Sequence, residues 1–175
     1  EAVTDGNLDE AEAIAAEIQT EYEKTTYAGQ SGLAMARLYM DKNRDQDAAD
    51  ALLAVVESDA SDELRHVARL RLARIYLYQE KAQEVVDLLT AEDTAAFAAA
   101  YGEVLGDAYT ALGQVSEAQQ AYQAALLDPL SQGTVDQQLV QWKALDLPEP
   151  EAAAESAEPA VPEAVESEES DSGET

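Results

Sequence analysis

Apolar side chains recur at every third or fourth position along most of the chain, the spacing that gathers them on one face of an α-helix. The first such face lies in Leu8–Tyr22, and Asn7 with Glu10 forms a pair typical of a capping box at a helix N-terminus. Because glycine has a low helix propensity, Gly29 and Gly32 do not allow the sequence to fix the residue at which the second helix starts. The pattern predicts eight helices over residues 7–25, 33–39, 47–57, 62–79, 82–90, 95–112, 115–127 and 134–145. Because no stretch alternates with period two, we predict an all-α fold.

Three segments of the chain align as internal repeats, each with a small residue three positions before a tyrosine. The small residues and tyrosines are Ala36 and Tyr39, Ala73 and Tyr76, and Gly106 and Tyr109. Nine and thirteen positions after these tyrosines come Ala48 and Leu52, Val85 and Leu89, and Ala118 and Tyr122. The two intervals between successive tyrosines lie on either side of the roughly 34-residue period of the tetratricopeptide repeat. In that repeat, small residues let two antiparallel helices approach closely.

The repeats therefore predict a tetratricopeptide-repeat-like superhelix of about three helical hairpins, with an N-terminal helix and a C-terminal capping helix. An irregular helical bundle is the alternative. Ser61 and Thr94 are predicted as helix N-caps. In the closing helix, Leu139 and Trp142 are expected to cover the end of the third hairpin while Lys143 faces water.

Charge divides the chain into two parts. It holds 10 Lys and Arg against 37 Asp and Glu, a formal net charge of −27. Residues 148–175 contain ten of these acids, no basic residue and four of the five prolines. Such a composition cannot bury enough apolar area to offset the loss of backbone entropy. We predict a helical domain over residues 1–147 and an acidic, Pro/Glu-rich disordered tail over residues 148–175.

Composition also excludes several kinds of site. With no cysteine and one histidine, the chain has no thiolate or multi-histidine metal site, and its charge disfavours nucleic acid and anionic membranes. No apolar run is long enough to span a bilayer, so we expect no membrane insertion by this fragment. We find no phosphate loop or nucleophile elbow, and we predict no enzyme, no catalytic residue and no cofactor. His66 is expected to face solvent or a capping turn. A hydrolase that uses scattered carboxylates is a further alternative.

The first helix of each hairpin is expected to line the inner groove of the superhelix. The residues at these positions are Arg37 and Met40 in the first repeat, Arg74 and Tyr78 in the second, and Glu103, Asp107 and Thr110 in the third. They predict a protein-binding groove, basic at one end and acidic at the other, that suits an extended or helical peptide. The alternative role of the arginines over residues 65–74 is to neutralise neighbouring acids. At 100° per residue, Arg71 and Arg74 point away from the side shared by Arg65 and Arg69.

Several of these segments together resemble the YfgM family, the ancillary SecYEG translocon subunits of Gram-negative bacteria. The resemblance is carried by residues 27–43, 48–52 and 70–76, and it continues through residues 105–108 and 118–122 to the closing helix. It covers most of residues 1–147 in the same order. The acidic tail departs from the family pattern.

The resemblance implies the periplasmic domain of a single-pass inner-membrane protein. The chain begins at Glu1 rather than Met, and we expect the anchor to precede it. The implied partners are the SecYEG translocon, a PpiD-like periplasmic chaperone and exported polypeptides. The alternative function is a generic tetratricopeptide adaptor in another envelope complex, such as outer-membrane assembly.

Overall fold

The structure, a computed structural model, describes residues 7–22, 25–90 and 96–148. Its regular secondary structure in these ranges is helical, which confirms the all-α prediction. The helices are α1 (Leu8–Glu21), α2 (Thr26–Asp41), α3 (Asp45–Glu57), α4 (Asp62–Tyr78), α5 (Ala82–Thr90), α6 (Ala98–Ala111), α7 (Val115–Leu127), the single-turn α8 (Ser131–Thr134) and α9 (Gln137–Leu145).

The helices stack as three hairpins, α2–α3, α4–α5 and α6–α7. Contacts of α3 with α4 and of α5 with α6 join one hairpin to the next, and α2, α4 and α6 also contact one another in sequence. Helix α1 packs against α2, and α9 packs against α7. This arrangement is the predicted tetratricopeptide-repeat-like superhelix with an added helix at each end.

The positions that recur in the repeats form the core. Ala48, Val85 and Ala118, which occupy equivalent positions, have no solvent-exposed surface. Gly106 is buried where α6 crosses α7, and a Cβ atom there would overlap the ring of the buried Tyr122. Small side chains thus set the distance between the two helices of a hairpin, and a large side chain fills the space beside the contact.

The three hairpin turns share one backbone conformation. Asn43, Glu80 and Gly113 occupy equivalent positions with φ angles of 58°, 60° and 72°. In each turn the next amide donates to the carbonyl of the repeat's tyrosine: Arg44 to Tyr39 at 2.8 Å, Lys81 to Tyr76 at 2.8 Å and Gln114 to Tyr109 at 2.9 Å. This is the Schellman helix end, which favours glycine because its left-handed residue has a positive φ.

One predicted helix boundary near the N-terminus was wrong, and one that the sequence left open is given by the structure. Helix α1 ends at Glu21 rather than near residue 25, and α2 already begins at Thr26, so that both glycines lie inside it. A Cβ atom at Gly32 would overlap Val55, and one at Gly29 would lie 3.2 Å from the Cβ atom of Ala60. Close packing between helices therefore outweighs the low helix propensity of glycine.

The predicted N-cap Ser61 is confirmed, since its side chain accepts a hydrogen bond from the Leu64 amide at 3.4 Å. The other predicted N-cap, Thr94, lies outside the described residues. The predicted tail also lies outside them except for Pro148, and the domain boundary at residue 147 stays a prediction.

The prediction for the closing helix was wrong in two respects. Residues 134–145 do not form one helix, because Asp136 separates α8 from α9 and caps α9 by accepting from the amides of Gln138 and Leu139 at 3.1 Å. The buried face was also misplaced. Val140 is fully buried, whereas Trp142 is 59% exposed and Leu139 is 42% exposed.

The shared turn geometry predicts a stabilising substitution in the second repeat. Glu80→Gly should raise the free energy of unfolding by about 0.5–1 kcal/mol, because it removes the cost of a positive φ in a residue with a Cβ atom. Gly113→Ala is the matched control, since a Cβ atom there meets nothing within 4 Å and only the backbone is strained. It should lower the free energy of unfolding by about 1 kcal/mol. Denaturant unfolding measures both, and shifts of the same sign would contradict the turn assignment.

Candidate functional site

An open groove of about 290 Å³ lies between α2 and α4, the first helices of the first two hairpins. Ala36, Leu52 and Ile75 are buried and form its apolar base. The other lining residues, all at least partly exposed, are Arg37, Met40, Asp41, Arg71 and Arg74. We call this surface the α2–α4 groove.

Helix geometry explains why these residues meet. Arg37 and Met40 are three positions apart on α2, and Arg71 and Arg74 are three positions apart on α4. Residues at this spacing lie one above the other on the same side of a helix. Ala36, which is 3% exposed, sits beside them and leaves room for the groove between the two larger helix surfaces.

The arginines of the α2–α4 groove differ from the arginines used elsewhere in the fold. Arg44 donates to Asp47 at 2.6 Å and to Glu12 at 2.9 Å, and Arg65 pairs with Asp62. Arg69 is buried. By contrast, no acid in residues 7–22, 25–90 or 96–148 lies within ion-pair distance of the three groove arginines, Arg37, Arg71 and Arg74. They present their charge to solvent above an apolar base.

The acidic residues predicted for the third repeat lie in a separate cluster beneath α9. The Lys143 amine donates to Asp107 at 2.8 Å and to Glu103 at 3.0 Å, and the Tyr122 hydroxyl donates to Asp107 at 2.8 Å. The prediction that Lys143 faces water was therefore wrong. Its side chain crosses to α6 and fixes which face of α9 is buried, which is the physical reason for the misplaced face described above.

Burial and charge shift two pKa values in this cluster. Burial alone would lower the pKa of Lys143, but its hydrogen bonds to Asp107 and Glu103 and their negative charges raise the pKa overall. Burial raises the pKa of Tyr122, and its hydrogen bond to Asp107 acts in the same direction. The structure therefore holds a protonated amine and a neutral phenol next to two carboxylates.

The remaining predicted groove residues lie apart from the basic side chains. The Thr110 hydroxyl donates to the Gly106 carbonyl at 2.7 Å and lines a cavity of about 240 Å³ together with Asp107 and Lys143. Tyr78, at the end of α4, is 75% exposed and lines neither cavity. Of the seven predicted residues, the structure thus brings Arg37, Met40 and Arg74 together in the α2–α4 groove.

His66 does not face solvent or a capping turn as expected. It is partly buried, its Nδ1 atom lies 2.8 Å from the Tyr101 hydroxyl, and its ring stacks on Phe97 with centroids 4.9 Å apart. The histidine therefore joins α4 to α6 as a packing residue. Sequence spacing gives no sign of these partners, which lie more than thirty positions away.

Sequence reasoning also missed Arg71 as a groove residue. The direction of the Arg71 side chain could be predicted from the sequence, because the helical projection places Arg71 and Arg74 on the same side of α4. The missing information was that this side faces α2 rather than surrounding acids. Packing between hairpins decides that point, and local sequence does not encode it.

Neither a metal site nor a membrane span is found in the described part of the chain. No group of three or more potential metal-ligating side chains occurs there. None of its helices is both long and apolar enough to cross a bilayer.

The stacked hairpins with their repeated small-residue contacts define a helical repeat of the tetratricopeptide class. The chain belongs to the family of tetratricopeptide repeat-like domains, whose family model matches residues 1–149. No solved structure matches the chain.

A curated relative agrees with the family resemblance seen in the sequence. The chain is 29% identical over 128 residues to a protein of Escherichia coli (strain K12) described as an ancillary SecYEG translocon subunit. The match covers 71% of this chain and 60% of the relative, so the chain spans less than two thirds of that protein's length. The predicted resemblance is confirmed.

The cluster around Lys143 predicts a stability effect that depends on pH. Lys143→Met keeps the volume but leaves two neighbouring carboxylates without their cation, and should lower the free energy of unfolding at pH 7 by about 2 kcal/mol. Because the folded-state pKa is raised, the stabilisation by Lys143 is fully present below the ordinary value of 10.5 and is lost as pH rises through the folded-state value.

Urea unfolding of both proteins between pH 7 and pH 12 measures this effect. The difference between the wild type and Lys143→Met should shrink above about pH 10.5. Lys42→Met is the matched control, since Lys42 is exposed in the turn after α2, and should change stability by less than about 0.5 kcal/mol. Equal effects of the two substitutions would show that Lys143 faces water.

Proposed function

We propose that this chain is a non-enzymatic protein-interaction scaffold that works at the SecYEG translocon. In this proposal it is the periplasmic domain of a single-pass inner-membrane protein, and it acts with a PpiD-like periplasmic chaperone on exported polypeptides. Tetratricopeptide-class repeats bind proteins through the surface lined by the first helix of each hairpin. The proposed binding residues on that surface are Arg37, Met40, Arg74 and Tyr78, whereas Glu103, Asp107 and Thr110 lie apart from them near α9.

The observation that carries the proposal is the α2–α4 groove on a chain that is 29% identical over 128 residues to a protein described as an ancillary SecYEG translocon subunit. The groove is open to solvent and combines exposed cations with an apolar base. Protein interfaces use the same combination of an apolar centre and charged groups at its edge. The relative's description supplies the expected complex, and the groove supplies a surface that fits a polypeptide.

The side-chain chemistry of the described residues supports binding rather than catalysis. In the polar cluster around Asp107, the Lys143 amine and the Tyr122 hydroxyl both donate to that carboxylate, so these polar groups are paired with one another. The one histidine is held in a packing contact with Phe97 and Tyr101. A scaffold needs no more chemistry than this.

Photocrosslinking in cells tests the proposal. A photoreactive amino acid is introduced in place of Arg37, Arg74 or Tyr78 in the full-length membrane protein. We expect adducts with translocon subunits, with a periplasmic chaperone or with exported polypeptides, because these positions are exposed on the inner helices.

The matched control is the same substitution at Gln120, which is exposed on the second helix of the third hairpin. It should give no such adducts. Adducts with none of these partners from any of the three positions, or equal adducts from Gln120, would refute the proposed function.

A further inference from the structure

The α2–α4 groove is basic in a strongly acidic chain. Three arginines, Arg37, Arg71 and Arg74, and one acid, Asp41, line it, whereas the whole chain carries a net charge of −27. The groove base is apolar, formed by Ile75 and its buried neighbours. A local surface of opposite sign to the rest of the molecule is a basis for selecting a partner.

The absence of an ion-pair partner for these arginines among the described residues is informative because acids are abundant. The chain has 37 acids for 10 Lys and Arg residues, so a shortage of carboxylates does not explain it. Arg44, which lies in the turn between α2 and α3, has two carboxylate partners. Across the parts of the chain that the structure describes, Arg44 and Arg65 have carboxylate partners and Arg69 is buried with a contact of its own, whereas Arg37, Arg71 and Arg74 lie together in this one groove without an ion pair.

We propose that the α2–α4 groove binds a polypeptide segment of a partner in which carboxylates flank an aliphatic side chain. The proposal rests on the proposed function and deepens it, since it names the chemistry of the segment that the scaffold recognises.

The chemistry of the groove specifies both parts of that segment. Arginine guanidinium groups match carboxylates with two parallel hydrogen bonds, and Arg71 and Arg74 on one side face Arg37 on the other. An aliphatic side chain between the carboxylates would lie on Met40 and Ile75, and burial of that apolar surface favours binding. The volume of about 290 Å³ suits a few side chains rather than a folded domain.

A short acidic segment fits this surface better than a nucleic acid does. At physiological ionic strength, charges beyond about 8 Å are largely screened, so a short segment responds mainly to the groove arginines. A nucleic acid carries phosphates along its whole length and would run onto the surrounding acidic surface. The net charge of −27 disfavours that arrangement.

Fluorescence anisotropy with the full chain tests the proposal. The probe is a fluorescein-labelled, C-terminally amidated dodecapeptide of four Glu-Glu-Leu repeats. Comparison peptides replace every glutamate with glutamine or every leucine with serine. We expect the probe to bind and both comparison peptides to bind at least about tenfold more weakly.

The matched protein variants are Arg71→Gln with Arg74→Gln, and Lys42→Gln. Lys42 is an exposed cation just beyond α2 that does not line the groove. The double variant should weaken probe binding at least about tenfold, and Lys42→Gln should change it by less than about twofold. All variants should keep the melting temperature of the wild type, because the substituted side chains are exposed.

Several outcomes would overturn the proposal. They are no binding of the probe, equal loss in the Lys42→Gln control, and displacement of the probe by an equimolar short DNA. Binding that requires replacement of the ten acids of residues 148–175 by their amides would also overturn it, since the chain's own tail would then be the occupant.

The test separates this inference from the proposed function. The peptide-binding experiment uses the purified chain alone. Peptide binding without translocon or chaperone crosslinks would therefore support the acidic-segment proposal and reject the proposed complex. Crosslinks without peptide binding would support the proposed complex and reject an acidic segment as the ligand of the α2–α4 groove.

Discussion

The close approach of two helices within each hairpin is the contact on which the structure depends. At Gly102 a Cβ atom would lie 2.9 Å from the backbone oxygen of Ala121, so glycine alone allows α6 and α7 to meet at that distance. Gly32 has the same role between α2 and α3. Because each hairpin presents an apolar face that it cannot bury alone, the hairpins stack. Stacking places α2 beside α4 and so creates the groove.

Much of the fold was predictable because a few positions repeat. Ala48, Val85 and Ala118 recur at fixed distances from the tyrosines, and all three are fully buried. Local patterns failed where distant contacts decide the outcome. The apolar stripe that includes Trp142 predicted the buried face of α9, but the bonds from Lys143 to acids about forty residues earlier turn that stripe outward.

The candidate site was predictable in part for the same reason. The repeat geometry places Arg37, Met40 and Arg74 on first helices, and the structure gathers them in one groove. The third repeat's Asp107 occupies the position equivalent to Arg37 and Arg74, yet α9 covers it and Lys143 of α9 pairs with it. A repeat pattern gives the direction of each side chain relative to its own hairpin, while the elements added at the ends of the stack decide which positions stay open.

The free energy of unfolding of Gly106→Ala tests the central claim most directly. The added methyl group would overlap the buried Tyr122 ring, which is also held by Asp107, so we expect a loss of about 2 kcal/mol. Gly133→Ala, where a Cβ atom meets nothing within 4 Å, should change stability by less than about 0.5 kcal/mol. Equal and small effects of the two substitutions would show that close contact within the hairpin does not hold the repeat together.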